Sequence, residues 1–327
     1  MRLTAESQPM VTVLVSSYNM RDYVEKALRS VAMQKTDFEV EVIVADDCSP
    51  DGTSDAIRAL QPSLPSSWTY ILPEKNSGDG GESLGKTMIH MARGKYLALL
   101  ECDDFWTSEN KLQEQVDFLE ANPDFSAAYH RCVVVGADGL PSGVKYPECP
   151  KDEYTFSEFF YCSLPGQLGT SLYRREEYIK ARESFMGMKL YDRYPGDRRN
   201  AFFTLCNGRV KSLPDVLSAY RYVPKGSTSY SSTLKIDDDY AKNEVNFGRT
   251  LVKYADSTGR ADAVRAAKLT YYRTLLKWSV GKVSPYKLSD SLRELLKEEH
   301  RLEYLFSPIR WYVVLGFRSL RGIKVTM

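Results

Sequence analysis

Three apolar runs in the first third of the chain each stop abruptly at polar groups. Val13-Leu14-Val15 runs into Ser16-Ser17-Tyr18-Asn19, Val42-Ile43-Val44-Ala45 into Asp46-Asp47-Cys48-Ser49, and Tyr96-Leu97-Ala98-Leu99-Leu100 into Glu101-Cys102-Asp103-Asp104. Strands of a parallel sheet are buried on both faces and read as unbroken Val, Ile and Leu, while their carboxyl ends open into a crevice. Acids gathered at such a crevice attract a divalent metal ion or the hydroxyl and amine groups of a nucleotide. The pattern confines the chain to α/β folds in which strand ends carry the chemistry.

Helical periods separate the runs. Arg21 to Gln34 places Tyr23, Ala27, Leu28, Val31 and Ala32 at helical spacing. A strand follows at Val40–Ala45, and Asp51-Gly52-Thr53 turns into a helix carrying Ala56, Ile57 and Leu60, with Asp51 or Thr53 as its N-cap. Trp68–Leu72 reads as a short strand, Thr87–Ala92 as a short helix closed by Gly94, and Tyr96–Leu100 as the strand leading into the acids. Lys111–Leu119 is a further helix, stopped by Asn122-Pro123. The βαβαβ order predicts right-handed crossovers and a mostly parallel sheet.

A β pattern returns at Ala127–Val135, and polar sequence then runs to about Pro165. A helix-rich stretch surrounds Pro195–Asn207, a strand-like Val216–Val223 follows, and Lys225-Gly226-Ser227-Thr228-Ser229 marks a boundary. Beyond it Tyr240–Tyr254, Ala261–Val280 and Leu288–Leu305 read as helices. With 327 residues, 43% of them hydrophobic and 27% charged, the chain has material for one large domain or two ordinary ones. Its net charge of +1 gives no reason to expect a nucleic-acid partner. The six cysteines form no C-x-x-C pair, which argues against a zinc site or disulfide framework and fits a reducing cytoplasm. Met1–Glu6 shows no apolar stretch of a signal peptide, and no run approaches the ~20 apolar residues of a spanning helix.

Glu101-Cys102-Asp103-Asp104 carries the strongest chemical signal. Three carboxylates so close repel one another unless a cation or donor groups neutralise them, and hard oxygen ligands suit Mg²⁺ or Mn²⁺. The plain alternative is an acidic turn capping the next helix. The same alternative stands beside Asp46-Asp47-Cys48-Ser49, whose residue types are common in turns. Tyr18 and Asn19 suit stacking on and hydrogen-bonding to a base, or a turn that packs Tyr18 inward. Gly80-Gly81-Glu82-Ser83-Leu84-Gly85-Lys86-Thr87 matches the phosphate-cradling G-x-x-x-x-G-K-[ST] pattern. A P-loop follows its strand directly, however, whereas Glu74 to Asp79 separate Pro73 from Gly80. Lys86 remains a candidate phosphate contact. Asp197, in Pro195-Gly196-Asp197-Arg198-Arg199, reads as an N-cap or as a general base for an acceptor hydroxyl. His90, His130 and His300 have no second ligand at metal spacing. Near the C-terminus Arg310, Arg318, Arg321 and Lys324 fall within roughly a 120° helical arc among Trp311, Phe317 and Leu320. That suits a helix lying on anionic lipid, or one docked on its own domain with a solvated basic face.

Together these segments resemble a family 2 glycosyltransferase of the GT-A fold, over about residues 10–225. The resemblance rests on Ser16–Asn19, on Asp46-Asp47-Cys48-Ser49-Pro50-Asp51-Gly52-Thr53, on Ala92–Tyr96 leading to Glu101–Trp106, and on Lys111–Leu119. It implies a Rossmann-like sheet with flanking helices, with a nucleotide-sugar half over about 10–125, an acceptor half over about 126–225 and a helical C-terminal region over 226–327. It implies that Ser17, Tyr18, Asn19, Asp46, Asp47, Asn76, Lys86, Glu101 and Asp103 bind the nucleotide-sugar. Glu101 takes the first place of the family's D-x-D, a departure that one branch shows regularly, and Asp103 and Asp104 hold Mg²⁺ or Mn²⁺. Gly169-Thr170-Ser171 with Arg174 resembles a segment near the acceptor, and Gly196-Asp197 resembles the site of the family's catalytic base. Ser218-Ala219-Tyr220-Arg221 resembles the closing strand, although Val223 stands where many relatives have His. The implied reaction is inverting transfer of a sugar from a nucleotide-sugar, foremost a UDP-sugar, to a hydroxyl of a glycan or lipid-linked acceptor. The implied setting is envelope or capsule polysaccharide synthesis in the cytoplasm, at the inner face of the cell membrane, with a peripheral contact through the C-terminal helix. Two rivals are a P-loop NTPase and a nucleotide-binding scaffold without catalysis. A sugar-phosphate nucleotidyltransferase lacks support, because no Gly-rich opening follows the first strand.

Overall fold

The computed structural model describes residues 8–192, 196–223, 235–280 and 283–320. The elements run Val11–Ser17 (β1), Val24–Ala32 (α1), Val40–Asp46 (β2), Thr53–Leu60 (α2), Thr69–Ile71 (β3), Glu82–Met91 (α3), Tyr96–Glu101 (β4), Phe105–Trp106 (β5), Lys111–Ala121 (α4) and Phe125–Val135 (β6). They continue with Glu153–Tyr154 (β7), Phe156–Phe160 (α5), Leu172–Arg174 (β8), Arg175–Gly187 (α6), Gly196–Asn207 (α7) and Arg209–Arg221 (β9). Helices Asp238–Thr258, Ala261–Val280, Leu288–Leu295 and Arg301–Leu320 follow. The boundary expected at Lys225–Ser229 lies outside the described residues.

Two compact units interleave along the chain rather than dividing near residue 225. The first comprises residues 1–144, 166–179 and 211–223, and the second 145–165, 180–210 and 224–327.

In the first unit the strands lie in the order β3-β2-β1-β4-β8-β6-β9-β5. β3, β2, β1 and β4 are parallel neighbours, while β8 joins β4 and β6, and β5 joins β9, antiparallel. The expected parallel order therefore holds through β4, and the sheet as a whole is mixed. Val11, Val13 and Val15 are fully buried, as are Val24, Ala27 and Leu28 of α1 in the same core cluster. Those α1 residues fall at i, i+3 and i+4, which is why this stretch docks as a helix on one sheet face. Gly94, between α3 and β4, lies directly against the start of β1. A Cβ there would come within 2.4 Å of the Thr12 backbone nitrogen, and the Gly94 N–H donates to Thr12 Oγ1 at 2.8 Å.

In the second unit, helix Asp238–Thr258 begins at Asp237, whose carboxylate accepts the Tyr240 N–H at 2.9 Å, and ends at Gly259 with φ 69°. Ala241, Val245, Tyr271, Tyr272, Leu275, Trp278, Leu295 and Tyr304 form its core. The single helix expected over Leu288–Leu305 is broken. Glu298, in the turn between Leu295 and Arg301, is drawn to Lys268 Nζ at 2.6 Å and Tyr272 Oη at 2.9 Å. Tertiary pairing there outweighs local helical preference. Among the described residues no helix is long and apolar enough to cross a membrane.

Candidate active site

β1 lies between β2 and β4, with Ser17 opposite Asp46 and Ser16 opposite Glu101. The chain goes from β1 to β2 and β3 on one side and returns to β4 on the other, so the strand order reverses between β1 and β4. In open α/β sheets that reversal leaves a crevice beyond the carboxyl ends. The register thus brings all three polar strand ends to one place.

The adjacent acids of β2 do different work. Asp46 is fully buried, and its carboxylate accepts Ser17 Oγ at 2.9 Å, the Ser49 N–H at 3.0 Å, Ser49 Oγ at 2.5 Å and Ser54 Oγ at 2.5 Å. It ties β1, the β2 loop and the first turn of α2 together, and Ser17 is turned inward by that bond. Asp47 accepts the Ser77 N–H at 2.9 Å, Ser77 Oγ at 2.7 Å and Asn76 Nδ2 at 3.1 Å, while Asn76 Nδ2 also reaches the Asp47 carbonyl at 2.6 Å. Asp47 and Asn76 therefore hold the loop before α3 against the end of β2.

The loop after β1 is strapped to the same scaffold. Asn19 at φ 59° donates its N–H to Ser49 Oγ at 2.9 Å, Met20 to Thr53 Oγ1 at 2.9 Å, and Arg21 to Asp51 Oδ2 at 3.1 Å. The left-handed conformation at Asn19 is one that Asn tolerates better than most residues. Tyr18, held between these anchors, is 45% exposed.

At the end of β4 a tight turn, with the Asp104 N–H on the Glu101 carbonyl at 3.0 Å, folds the three acids together. One carboxylate oxygen from each of Glu101, Asp103 and Asp104 lies within 4.8 Å of the others. Glu101 is exposed, Asp103 half-buried and Asp104 buried. Burial pushes the Asp103 carboxyl up, and the Arg221 guanidinium pulls it back. Arg221 grips this turn. Its backbone N–H donates to Asp104 Oδ1 at 2.7 Å, Nε to the Asp103 carbonyl at 2.8 Å, and Nη1 to the Gly136 and Ala137 carbonyls at 2.7 Å each. The guanidinium lies 4.2 Å over the Tyr23 ring. Three converging carboxylates with no nitrogen or sulfur donor match the ligand preference of Mg²⁺ or Mn²⁺. Cys102, between them, is buried, and burial pushes its thiol far up, which leaves it inert.

The P-loop match does not form a phosphate cradle. α3 begins at Glu82, five residues before the expected Thr87, so Gly85, Lys86 and Thr87 lie inside the helix. The Gly85 N–H bonds the Gly81 carbonyl at 2.8 Å and Thr87 Oγ1 the Ser83 carbonyl at 3.0 Å. Their donors are engaged in helical bonds, and Lys86 stands exposed on the helix surface.

The Gly169–Ser171 segment is also built differently from a ligand-facing loop. Thr170 and Ser171 are fully buried, and the main chain is held by Trp106 Nε1 on the Gly169 carbonyl at 2.8 Å, Gln115 Nε2 on Thr170 at 2.9 Å and Lys111 Nζ on Ser171 at 3.2 Å. Arg174 donates to the Phe125 and Leu119 carbonyls at 2.8 Å each. These groups brace the sheet behind β4 and β5.

In the second unit Asp197 lies in the first turn of α7 and is half-buried. Burial pushes its carboxyl up to about 6, opposed by the charge of Arg199. A carboxylate poised there is matched to proton abstraction near neutral pH. Sequence reasoning missed Ser49, Ser54 and Ser77 as partners of the aspartates, and Arg221 as the clamp of the acidic turn. The hydroxyl spacing Ser49…Ser54 around a helix start was the available signal for the first two, whereas Arg221 was marked only by the likeness of Ser218–Arg221 to the family's closing strand.

A family model described as glycosyl transferase family 2 matches residues 12–180. An uncharacterised protein of Mycobacterium tuberculosis is 38% identical over 129 residues, which is 39% of this chain and 37% of that one. The UDP-Glc:α-D-GlcNAc-diphosphoundecaprenol β-1,3-glucosyltransferase WfaP of Escherichia coli is 28% identical over 116 residues, 36% of this chain and 43% of the relative. The chain thus spans well under half of the length of these curated relatives. Among solved structures, residues 1–349 of Staphylococcus aureus TarS in complex with UDP-GlcNAc superimpose with a TM-score of 0.58 at 17% identity, over 96% of this chain and 92% of that one. At that identity the likeness is one of fold.

Proposed function

The chain belongs to glycosyl transferase family 2, and from that premise we propose that it transfers a sugar, with inversion, from a UDP-sugar to a hydroxyl of a glycan or lipid-linked acceptor in envelope polysaccharide synthesis. The observation that carries the proposal is the register that sets Ser17 beside Asp46 and Ser16 beside Glu101, with the acidic turn following directly. WfaP, by its name, uses UDP-Glc on a lipid diphosphate acceptor, and TarS was solved with UDP-GlcNAc. Both support the choice of donor class.

In this reading the exposed Tyr18 ring stacks on the base, Asp47 at the neighbouring strand end faces its polar edge, and Glu101 accepts from ribose hydroxyls. Ser17, Asp46 and Asn76 act one step back, by holding these loops in place, and Lys86 offers a charge at the rim. Asp103 and Asp104 would hold Mg²⁺ or Mn²⁺, which would supply positive charge beside the diphosphate leaving group. Asp197 accepts the proton of the acceptor hydroxyl as its oxygen forms a bond to the anomeric carbon and the bond to the diphosphate oxygen breaks. One base suffices, because direct displacement inverts the centre without a covalent enzyme adduct. The setting we assign is the inner face of the cell membrane, with a peripheral contact that brings the enzyme to lipid-linked acceptors.

Thermal shift with UDP, GDP, dTDP, CMP and ATP, each with and without Mn²⁺, tests the reading. Stabilisation by UDP that requires Mn²⁺ and disappears in Asp103→Ala is expected. Stabilisation by ATP alone would overturn it.

A further inference from the structure

Among its described side chains, residues 301–313, helix Arg301–Leu320 has two apolar sides, and one of them is packed. Tyr304, Ser307 and Trp311 are buried. Tyr304 stacks on Tyr272 with ring centroids 5.3 Å apart, and Trp311 packs with Phe160 beneath the Arg273 guanidinium. This is the side on which the helix docks, so the Trp311 face expected to meet lipid is already covered. The opposite side carries Leu302, Phe306, Ile309 and Val313, each between 53% and 65% exposed. At about 100° per residue these four fall within roughly a 60° arc, with the exposed Tyr312 beside them. Single exposed apolar residues are ordinary, but a row at i, i+4, i+7 and i+11 is a surface built to be covered. Next to it opens a groove of about 300 Å³ lined by Phe160, Leu269, Leu302, Phe306, Ser307 and Arg310, together with Glu303, whose carboxylate is paired with Arg265.

Charge identifies the occupant. From Tyr304 to Met327 the sequence holds Arg310, Arg318, Arg321 and Lys324 and no Asp or Glu. Arg310 is exposed beside the apolar row, its Nε on Tyr161 Oη at 2.5 Å. Two copies meeting through this face would set one Arg310 against another, whereas an anionic lipid surface complements the guanidinium and accepts the apolar row at the same time.

We propose that the Leu302–Phe306–Ile309–Val313 face inserts into the headgroup boundary of an anionic bilayer, with Arg310 on lipid phosphates. This deepens the membrane setting proposed above and rests on it.

The test is co-sedimentation of the full chain with phosphatidylcholine vesicles, with and without roughly one-third phosphatidylglycerol. Binding to the anionic vesicles that weakens with salt is expected. The double variant Phe306→Glu/Ile309→Glu should lose at least about tenfold in vesicle affinity. Both positions are exposed, so its UDP-dependent thermal shift should match the parent's, which establishes that the fold and nucleotide site are intact. Arg310→Gln should reduce binding a few-fold and flatten the salt dependence. Unchanged vesicle binding by the double variant would overturn the proposal. So would a parent dimer, seen by light scattering, that the double variant converts to monomer, since the face would then belong to a second copy. Absence of any UDP shift in the parent would sink the transferase reading by itself, leaving the vesicle measurement to judge the lipid face.

Discussion

Arg221 holds Asp104 by its backbone and Asp103 by its side chain, at 2.7 and 2.8 Å. The last residue of β9 therefore sets the spacing of the two acids that would share a metal ion. Its two further bonds, to the Gly136 and Ala137 carbonyls, fix the guanidinium itself.

Arg221→Lys keeps the charge but cannot reach three carbonyls at once from a single ammonium on a flexible stem. Hydrogen bonds from charged donors contribute about 1.5–3 kcal/mol each. We expect Arg221→Lys to weaken Mn²⁺-dependent UDP binding about tenfold and Arg221→Ala to weaken it further, by calorimetric titration. Metal-independent UDP binding should change less. A Lys variant with parental Mn²⁺ dependence would show that the turn holds its shape without the clamp.

Asp197 gives a prediction in pH. The carboxyl titrates near 6 rather than at its ordinary 3.8, because burial disfavours its charged form. A base works only when deprotonated, so kcat/KM should fall on the acid side with a midpoint near pH 6. Arg199→Gln removes the opposing charge and should move that midpoint upward. The raised value means that Asp197 favours folding fully below about pH 4 and loses that contribution as pH rises through 6. Asp197→Asn should therefore melt higher than the parent at pH 8 while transferring no sugar and still binding UDP. Turnover by the Asn variant would remove Asp197 from the mechanism.

The strands that build the site were legible because burial on both faces leaves β1, β2 and β4 as unbroken apolar runs, so their polar ends stand out. The division of labour between Asp46 and Asp47 was not. The two acids look alike in sequence, and what separates them is Ser54 on one side and Ser77 on the other, brought in by α2 and the loop before α3. The early start of α3 was hidden by Gly80-Gly81. Asp79, which accepts the Ser83 N–H at 3.0 Å, supplied a local signal at the helix entry that the glycines obscured. The first half of β9 is charged and shows no period, and α6 opens on Arg175-Glu176-Glu177, whose charges mask the helical spacing of the buried Tyr178, Ala181 and Phe185 behind them. Both are held by tertiary contacts. Residues 137–191 were opaque for the same reason.

Gly94 is a backbone prediction. A Cβ there would meet main-chain atoms of Val11 and Thr12 at 2.6 and 2.4 Å, and neither can swing aside as a side-chain tip would. Overpacking of this kind costs about 1–3 kcal/mol. Gly94→Ala should lower Tm by several degrees, measured calorimetrically, because β1 and β4 must part at their amino-terminal ends. Since the crevice lies at their other ends, UDP affinity of the folded fraction should stay within about twofold. An unchanged Tm would mean that the strands separate more easily than their register suggests.

Cys162 supplies the last prediction. It sits at φ 59°, with Arg273 Nη1 at 3.5 Å from its sulfur and Arg198 and Trp311 also against it. Burial alone would push the thiol up, but the two guanidinium groups outweigh burial and bring it down to about 7. Cys102, Cys132, Cys149 and Cys206 are buried, and burial pushes Cys102 and Cys206 in the opposite direction, Cys206 to about 12. The thiolate is the reactive form, so alkylation of Cys162 should rise through a midpoint near pH 7 and level off above about pH 8. Native-state iodoacetamide labelling followed by peptide mass spectrometry reads each cysteine separately. Arg273→Gln removes one of the two charges and should move the Cys162 midpoint upward by about one pH unit. A midpoint at or above the ordinary thiol value near 8.5 in the parent would show that burial, and not the arginine pair, governs this sulfur.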